Sequence, residues 1–154
     1  MSSRNEPIID GGVANLNLGY TTVGVGDLDA DGIEDLGAAS LGFDSGSSLD
    51  VGAVWIIPGN SIEPGLVSLY DHTVAEIVGL VDGSAHTAGD FGTRISPAGD
   101  LDGDGHDDFV ASSQWEAFVF HGPLVGDLTT DAAVATMSSG VRMGSYHGLD
   151  ARQE

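Results

Sequence analysis

An acidic loop that occurs twice constrains this chain more than any other feature of its sequence. The stretch GDLDADGIEDL begins at Gly26, and GDLDGDGHDDF begins at Gly99, 73 positions later. The likeness continues into the segment before each loop and into two apolar segments after it. A repeat of this kind predicts a chain built from similar supersecondary units that pack side by side.

The units are expected to consist of short β-strands. Val, Ile, Phe, Trp and Thr are concentrated in short segments bounded by Gly, Pro, Asp and Ser, and capped helical periodicity is scarce. The predicted strands cover residues 20–25, 35–40, 52–57, 66–70, 74–80, 93–97, 108–113, 115–121 and 132–137, the last of which also suits a short helix.

We therefore expect an all-β protein that forms a single repeat domain over residues 1–154. One unit covers about 18–80, a second about 89–137, and the start of a third about 141–154. A Gly/Ser-rich run at 41–49 predicts an exposed loop inserted into the first unit.

Charge and composition exclude several classes of protein. The chain has 24 acidic and 4 basic residues and a formal net charge of −20, which disfavours binding to nucleic acid or to an anionic membrane. It has no Cys, which excludes disulfides, thiolate zinc sites and a Cys nucleophile. No apolar run is long enough to span a membrane, and residues 1–10 lack the pattern of a signal peptide.

The spacing of acids within each loop predicts a calcium site. Asp occupies positions one, three, five and nine, Gly position six, and the carbonyl of position seven can face an ion. Ten of the 24 acids lie in residues 27–35 and 100–108, and such crowded carboxylates repel one another without a cation. The predicted ligands are Asp27, Asp29, Asp31, Ile33 and Asp35 for one ion, and Asp100, Asp102, Asp104, His106 and Asp108 for a second.

Other interpretations of the loops are weaker. An EF-hand needs Glu at position twelve and flanking helices, but that position is Ala38 in one loop and Ala111 in the other. Dockerin-type loops also lead into helices, and thrombospondin-type repeats need Cys. A solvated acidic surface remains the interpretation of the scattered acids. We expect the ring of His106 to point outward, and Trp55 and Trp115 to pack in the core or between units.

The second unit resembles an FG-GAP repeat. It has Phe91-Gly92 ahead of its acidic loop and a hydrophobic strand that ends in His121-Gly122. The first unit is similar but has Leu18-Gly19 in place of Phe-Gly. FG-GAP repeats form the blades of the integrin α-subunit β-propeller and of many bacterial surface proteins. The resemblance implies antiparallel propeller-type blades, each with a calcium loop between two strands.

The resemblance also implies a non-enzymatic binding or adhesion module, extracellular or at the cell surface, with a protein or carbohydrate partner. No nucleophile elbow, P-loop or dinucleotide fingerprint is present. Two blades are too few to close a ring, so the chain either belongs to a longer propeller or associates with copies of itself. A calcium-stabilised, self-assembling structural protein is therefore the alternative function, and an accessory to a hydrolase domain is a third.

Overall fold

The structure is a computed structural model that describes residues 8–11, 16–46, 50–80 and 90–138. The strands of this part of the chain are β1 (Ile8–Asp10), β2 (Thr21–Gly26), β3 (Asp35–Ser40), β4 (Ala53–Ile57), β5 (Leu66–Ser68), β6 (Ala75–Val78), β7 (Arg94–Gly99), β8 (Asp108–Ser112), β9 (Glu116–Phe120), β10 (Gly126–Thr129) and β11 (Ala135–Ser138). A four-residue helix, α1 (Leu69–His72), and 3₁₀ turns at Gly59–Ser61 and Thr130–Ala132 complete it. In the described ranges, every helix is too short and too polar to cross a bilayer.

Two groups of four antiparallel strands follow each other along the chain, and we call them the first and second blade; a fifth strand, β10, adds in parallel to the sheet of the first blade. The first has the order β2-β3-β4-β6 and the second the order β7-β8-β9-β11. The register shifts between Gly24 and Gly26 in one blade and between Pro97 and Gly99 in the other. Because these positions are equivalent in the repeat, the units share backbone detail as well as sequence. The prediction of all-β, propeller-type blades is confirmed.

Parallel strand pairs connect successive units. β10 follows the third strand of the second blade and pairs with β6, the outer strand of the first blade. β5 has the equivalent position in the first unit and pairs with β1. β1 therefore lies where the outer strand of a preceding blade would lie.

The structure corrects several predicted boundaries. The strand predicted at 66–70 ends at Ser68, because Leu69 begins helix α1 and its side chain is fully buried. The segment predicted at 132–137 leaves a 3₁₀ turn and becomes a strand only at Ala135. β1 and β10 were not predicted, since each is short and pairs with a strand distant in sequence. The predicted third unit at 141–154 lies outside the described residues.

The main core lies between the two blades. Phe109 stacks on Phe120 with ring centroids 5.2 Å apart, and Phe91 meets Phe120 edge-on at 6.3 Å. The first blade contributes Val54 and Ile56 to the same cluster. Complete burial of such side chains contributes about 1.5–3 kcal/mol each, so this cluster is the main apolar contact that holds the blades together.

A smaller core covers the other face of the first blade. Trp55 is fully buried there, meets Phe43 edge-on at 5.5 Å, and donates its indole N–H to Glu76 at 2.9 Å. The predicted core position of Trp55 is thus confirmed. Trp115 differs, because it lies in the turn between β8 and β9 and is 48% exposed.

Two glycines allow the blades to approach each other closely. Gly52 has φ of +78°, and a Cβ there would lie 2.2 Å from the carbonyl oxygen of Phe91. Gly92 has φ of +93°, and its Cβ would lie 2.7 Å from the Cβ of Ala39. A side chain at either position would push the blades apart.

Replacing Gly52 with Ala is expected to lower the free energy of unfolding by about 3 kcal/mol, from backbone strain and overpacking together. Gly126→Ala is the matched control, since Gly126 has φ of +82° and open space around it. The control should show only the strain, about 1–2 kcal/mol. Denaturant unfolding of both variants measures the difference, and equal losses would contradict close packing at Gly52.

Candidate metal centres

Both acidic loops lie at the same end of the blades. The first loop, residues 27–35, joins β2 to β3 and ends on the first residue of β3, and the second, residues 100–108, joins β7 to β8 and ends on the first residue of β8. β2 packs against β7, so the two loops are side by side. The two copies of the acidic loop are far apart in the sequence but are neighbours in the structure.

The carboxylate at position one folds each loop around itself. Asp27 accepts hydrogen bonds from the N–H groups of positions five and six at 3.0 and 2.8 Å. Asp100 accepts the equivalent bonds at 3.1 and 3.0 Å. The glycines at position six, Gly32 and Gly105, have φ of +89° and +96°, a conformation that costs glycine no steric strain. The predicted need for glycine at this turn is confirmed.

Three carboxylates converge in each loop, with one oxygen of each lying within 4.8 Å of the others. Calcium–oxygen distances of about 2.3–2.6 Å put opposed ligand oxygens about 5 Å apart. Both groups therefore have a spread that suits one calcium ion. The groups are Asp27, Asp29 and Asp35 in the first loop, and Asp100, Asp102 and Asp104 in the second.

Position nine carries a buried carboxylate that ties the loop to the third strand of its blade. Asp35 accepts hydrogen bonds from the N–H groups of Leu28 and Gly59, both at 3.0 Å. Asp108 makes the two equivalent bonds at 2.7 and 3.1 Å. Asp108 lies outside the converging group of its own loop, so the two loops differ in this respect.

The first site concentrates negative charge. Burial raises the pKa of the Asp35 carboxyl above its ordinary value. The hydrogen bonds from Gly59 and Leu28 lower this pKa, and the charges of Asp29 and Asp31 raise it further. A bound cation would offset both the burial and the repulsion, since an opposite charge favours the ionised carboxylate.

Asp31 also lies outside the converging group of its loop. One of its oxygens accepts a hydrogen bond from the N–H of Ile33 at 2.8 Å, and the other accepts one from the side-chain amide of Asn60. Asp31 therefore links the first loop to the 3₁₀ turn that follows β4. The carbonyls of Ile33 and His106 stay predicted ligands.

His121 is a site residue that the sequence reasoning missed. Its Nδ1 lies 2.8 Å from Oδ2 of Asp102, a distance at which the imidazole contacts the position-three carboxylate directly. The first unit has Pro58 at the equivalent position. The Pro-to-His difference between the two units could have indicated this contact from the sequence, because only the second unit has an imidazole at this position to lie beside position three.

Hydrogen bonds also join the two loops to each other. Asp107 accepts a bond from the N–H of Asp27 at 3.0 Å and donates its own N–H to the Asp27 carbonyl at 2.9 Å. The Nδ1 of His106 lies 3.0 Å from the carbonyl oxygen of Leu28. A carbonyl only accepts, so this nitrogen carries the proton. The expectation that the His106 ring points outward is wrong, since the ring contacts the neighbouring blade.

Comparison with known proteins identifies the repeat. The sequence model of the FG-GAP repeat matches residues 91–129, which include the second loop and strands β7 to β10. The chain is 32% identical over 121 residues to integrin alpha-E of Mus musculus, an alignment that covers 77% of this chain and 10% of that protein. The chain thus spans about a tenth of the length of this curated relative. The chain is an FG-GAP repeat protein, and its sequence is similar to part of an integrin α subunit.

Proposed function

We propose that this chain is a calcium-binding, non-enzymatic binding or adhesion module that acts at the cell surface or outside the cell. The observation that carries the proposal is the convergence of three carboxylate oxygens within 4.8 Å in each of two loops that fold alike. The proposed ligands are Asp27, Asp29, Asp31, Asp35 and the Ile33 carbonyl in the first loop, and Asp100, Asp102, Asp104, Asp108 and the His106 carbonyl in the second.

The donor set favours calcium over other cations. Every proposed donor is an oxygen, and the chain has no Cys, so soft metals find no thiolate here. Calcium accepts six to eight oxygen ligands in irregular geometry, whereas magnesium demands a tight octahedron. A loop whose carboxylates differ in burial and in hydrogen bonding suits the less demanding ion.

The proposed ion has a structural role. Asp27 follows the last residue of β2, and Asp35 is the first residue of β3, so an ion bound to both closes this end of the hairpin. A ligand at 100 times its Kd stabilises the folded state by about 2.7 kcal/mol. Calcium would thus fix the loop and the pairing of the two strands that it joins.

The adhesion role rests on the family. The relative named above is an integrin α subunit, and we propose a partner at the cell surface for this chain as well. A protein ligand is the first choice. A carbohydrate is the alternative, because Trp115 presents a half-exposed aromatic ring at the turn between β8 and β9, opposite the end that carries the acidic loops.

Self-assembly is the second candidate function, and the parallel strand pairs favour it. β10 adds to the outer strand of the preceding blade, and β5 adds to β1 in the same way. Successive units are thus joined by the same parallel strand pairing, and another copy of the chain can provide a strand for it. Such contacts give a closed ring where the rotation closes and a filament where it does not.

Replacing Asp29 with Ala should lower the melting temperature by about 5–10 °C in saturating calcium, because the calcium contribution of about 2.7 kcal/mol is lost. In chelator the loss should be far smaller, limited to the hydrogen bond that Asp29 accepts within the loop. Calorimetry in both conditions measures this. Asp127→Ala, an exposed acid outside both loops, is the control. Equal losses in calcium and in chelator would contradict the metal role.

A surface coated with the purified chain is expected to retain cells in calcium and to release them in chelator. The Asp29→Ala/Asp102→Ala double variant should retain few cells, and Asp127→Ala should match the native chain. Equal attachment of cells in calcium and in chelator would contradict a calcium-dependent adhesion module. Calcium-dependent turnover in a panel of hydrolase substrates would contradict the non-enzymatic assignment.

Light scattering distinguishes the two candidate functions. Self-assembly predicts a species in calcium whose mass is a multiple of 15.7 kDa and which dissociates in chelator. A 15.7 kDa species under both conditions would exclude self-assembly and leave the adhesion module.

A further inference from the structure

The backbone of the first loop is held by residues of the second loop. Asp107 bonds both the N–H and the carbonyl of Asp27, at 3.0 and 2.9 Å, and His106 bonds the carbonyl of Leu28 at 3.0 Å. We propose that His106 and Asp107 couple the two calcium sites, so that an ion in one loop raises the affinity of the other. This inference rests on the proposed calcium binding.

The bonds from the second loop reach two proposed ligands of the first site. The carboxylate of Asp27 organises the first loop, while its N–H and carbonyl are both fixed by Asp107. Leu28 is held on both sides, since its N–H donates to Asp35 and its carbonyl accepts from His106. Position one of the first site is therefore bonded directly by Asp107, and position nine is linked to His106 through Leu28.

Within the second loop, the same two residues lie among proposed ligands. The N–H of His106 donates to Asp104 at 2.9 Å, and Asp107 directly precedes the fully buried Asp108. An ion bound to Asp104, to the His106 carbonyl and to Asp108 would restrict residues 106 and 107. Residues 106 and 107, once restricted, would hold Asp27 and Leu28 in place before an ion binds to the first loop.

Close packing restricts movement at the contact between residues 106–107 and the first loop. A Cβ at Gly26 would lie 2.5 Å from Oδ2 of Asp107. A Cβ at Gly122 would lie 2.6 Å from the carbonyl oxygen of Asp107 and 2.7 Å from that of Leu28. Since Gly26 and Gly122 place no side chain between the bonded groups, a shift in one loop is passed to the other.

The equivalent residues of the first loop differ. Positions seven and eight are Ile33 and Glu34, both exposed, and Ile33 is 47% exposed. Glu34 lies over Gly24 of its own blade, where a Cβ would meet its carboxylate at 2.2 Å. His and Asp therefore occur in the loop that faces a preceding loop, and Glu34 provides a matched control for Asp107.

Coupling has a defined thermodynamic consequence. The factor by which an ion in one loop raises the affinity of the other loop is the same in both directions. Such coupling factors are typically about 5–150. The product of the two association constants of the native chain should therefore exceed the product of the single-site constants by about fivefold or more. Asp29→Ala and Asp102→Ala supply the single-site constants for the second and first loop.

The test is isothermal titration of the full chain with calcium chloride, in the native background and in Asp107→Ala, His106→Ile and Glu34→Ala backgrounds. His106→Ile copies the residue of the first loop and keeps the backbone carbonyl, so it serves if Asp107→Ala does not fold. The coupling ratio is the product of the two association constants divided by the product of the single-site constants. This ratio should fall to about one in the Asp107 and His106 variants and stay at about fivefold or more with Glu34→Ala.

The possible failures are distinguishable. Binding of no ion, or of a single ion, by the native chain would overturn the two-site function itself and the coupling with it. Two ions bound with a ratio of about one in the native chain would overturn the coupling and leave the calcium sites standing. A ratio that survives both Asp107→Ala and His106→Ile would assign the coupling to other residues and refute this proposal.

Discussion

The buried carboxylate at position nine of each acidic loop is the interaction on which each blade depends. Asp35 and Asp108 each accept one N–H from their own loop and one from the glycine after the third strand of the blade. Hydrogen bonds to an ionised group are about twice as strong as neutral ones, and removal of the carboxylate would leave buried N–H groups without a partner. The first hairpin and the third strand are thereby joined at the end where the proposed ion binds.

The packing between blades and the acidic loops are parts of one structure. The phenylalanine cluster and the glycines at 52 and 92 bring β2 and β7 together, and this contact is what places the two loops side by side. Only at that separation can Asp107 reach both backbone groups of Asp27. Ion binding and blade packing are therefore expected to stabilise each other, which is useful in a chain with a net charge of −20.

The repeat made most of the fold predictable. All nine predicted strands match observed ones to within three residues at each end, because short apolar segments between turn residues are a local signal. The predictions failed where pairing is non-local. Helix α1 replaces the end of a predicted strand, and its Leu69 is buried in the same core cluster as Trp55. The parallel strands β1 and β10 are defined by their distant partners, β5 and β6, and not by their own short sequences.

The chemistry of the loops follows from the order of their amino acids alone. Acids at alternate positions and a glycine at position six specify a tight turn lined with carboxylates, since the hydrogen bonds that form it span no more than five residues. The three-dimensional packing was needed to establish which carboxylates converge, that His121 contacts Asp102, and that His106 and Asp107 hold the neighbouring loop. The physical reason is distance along the chain: Asp107 and Asp27 are 80 residues apart and meet only because β2 packs against β7.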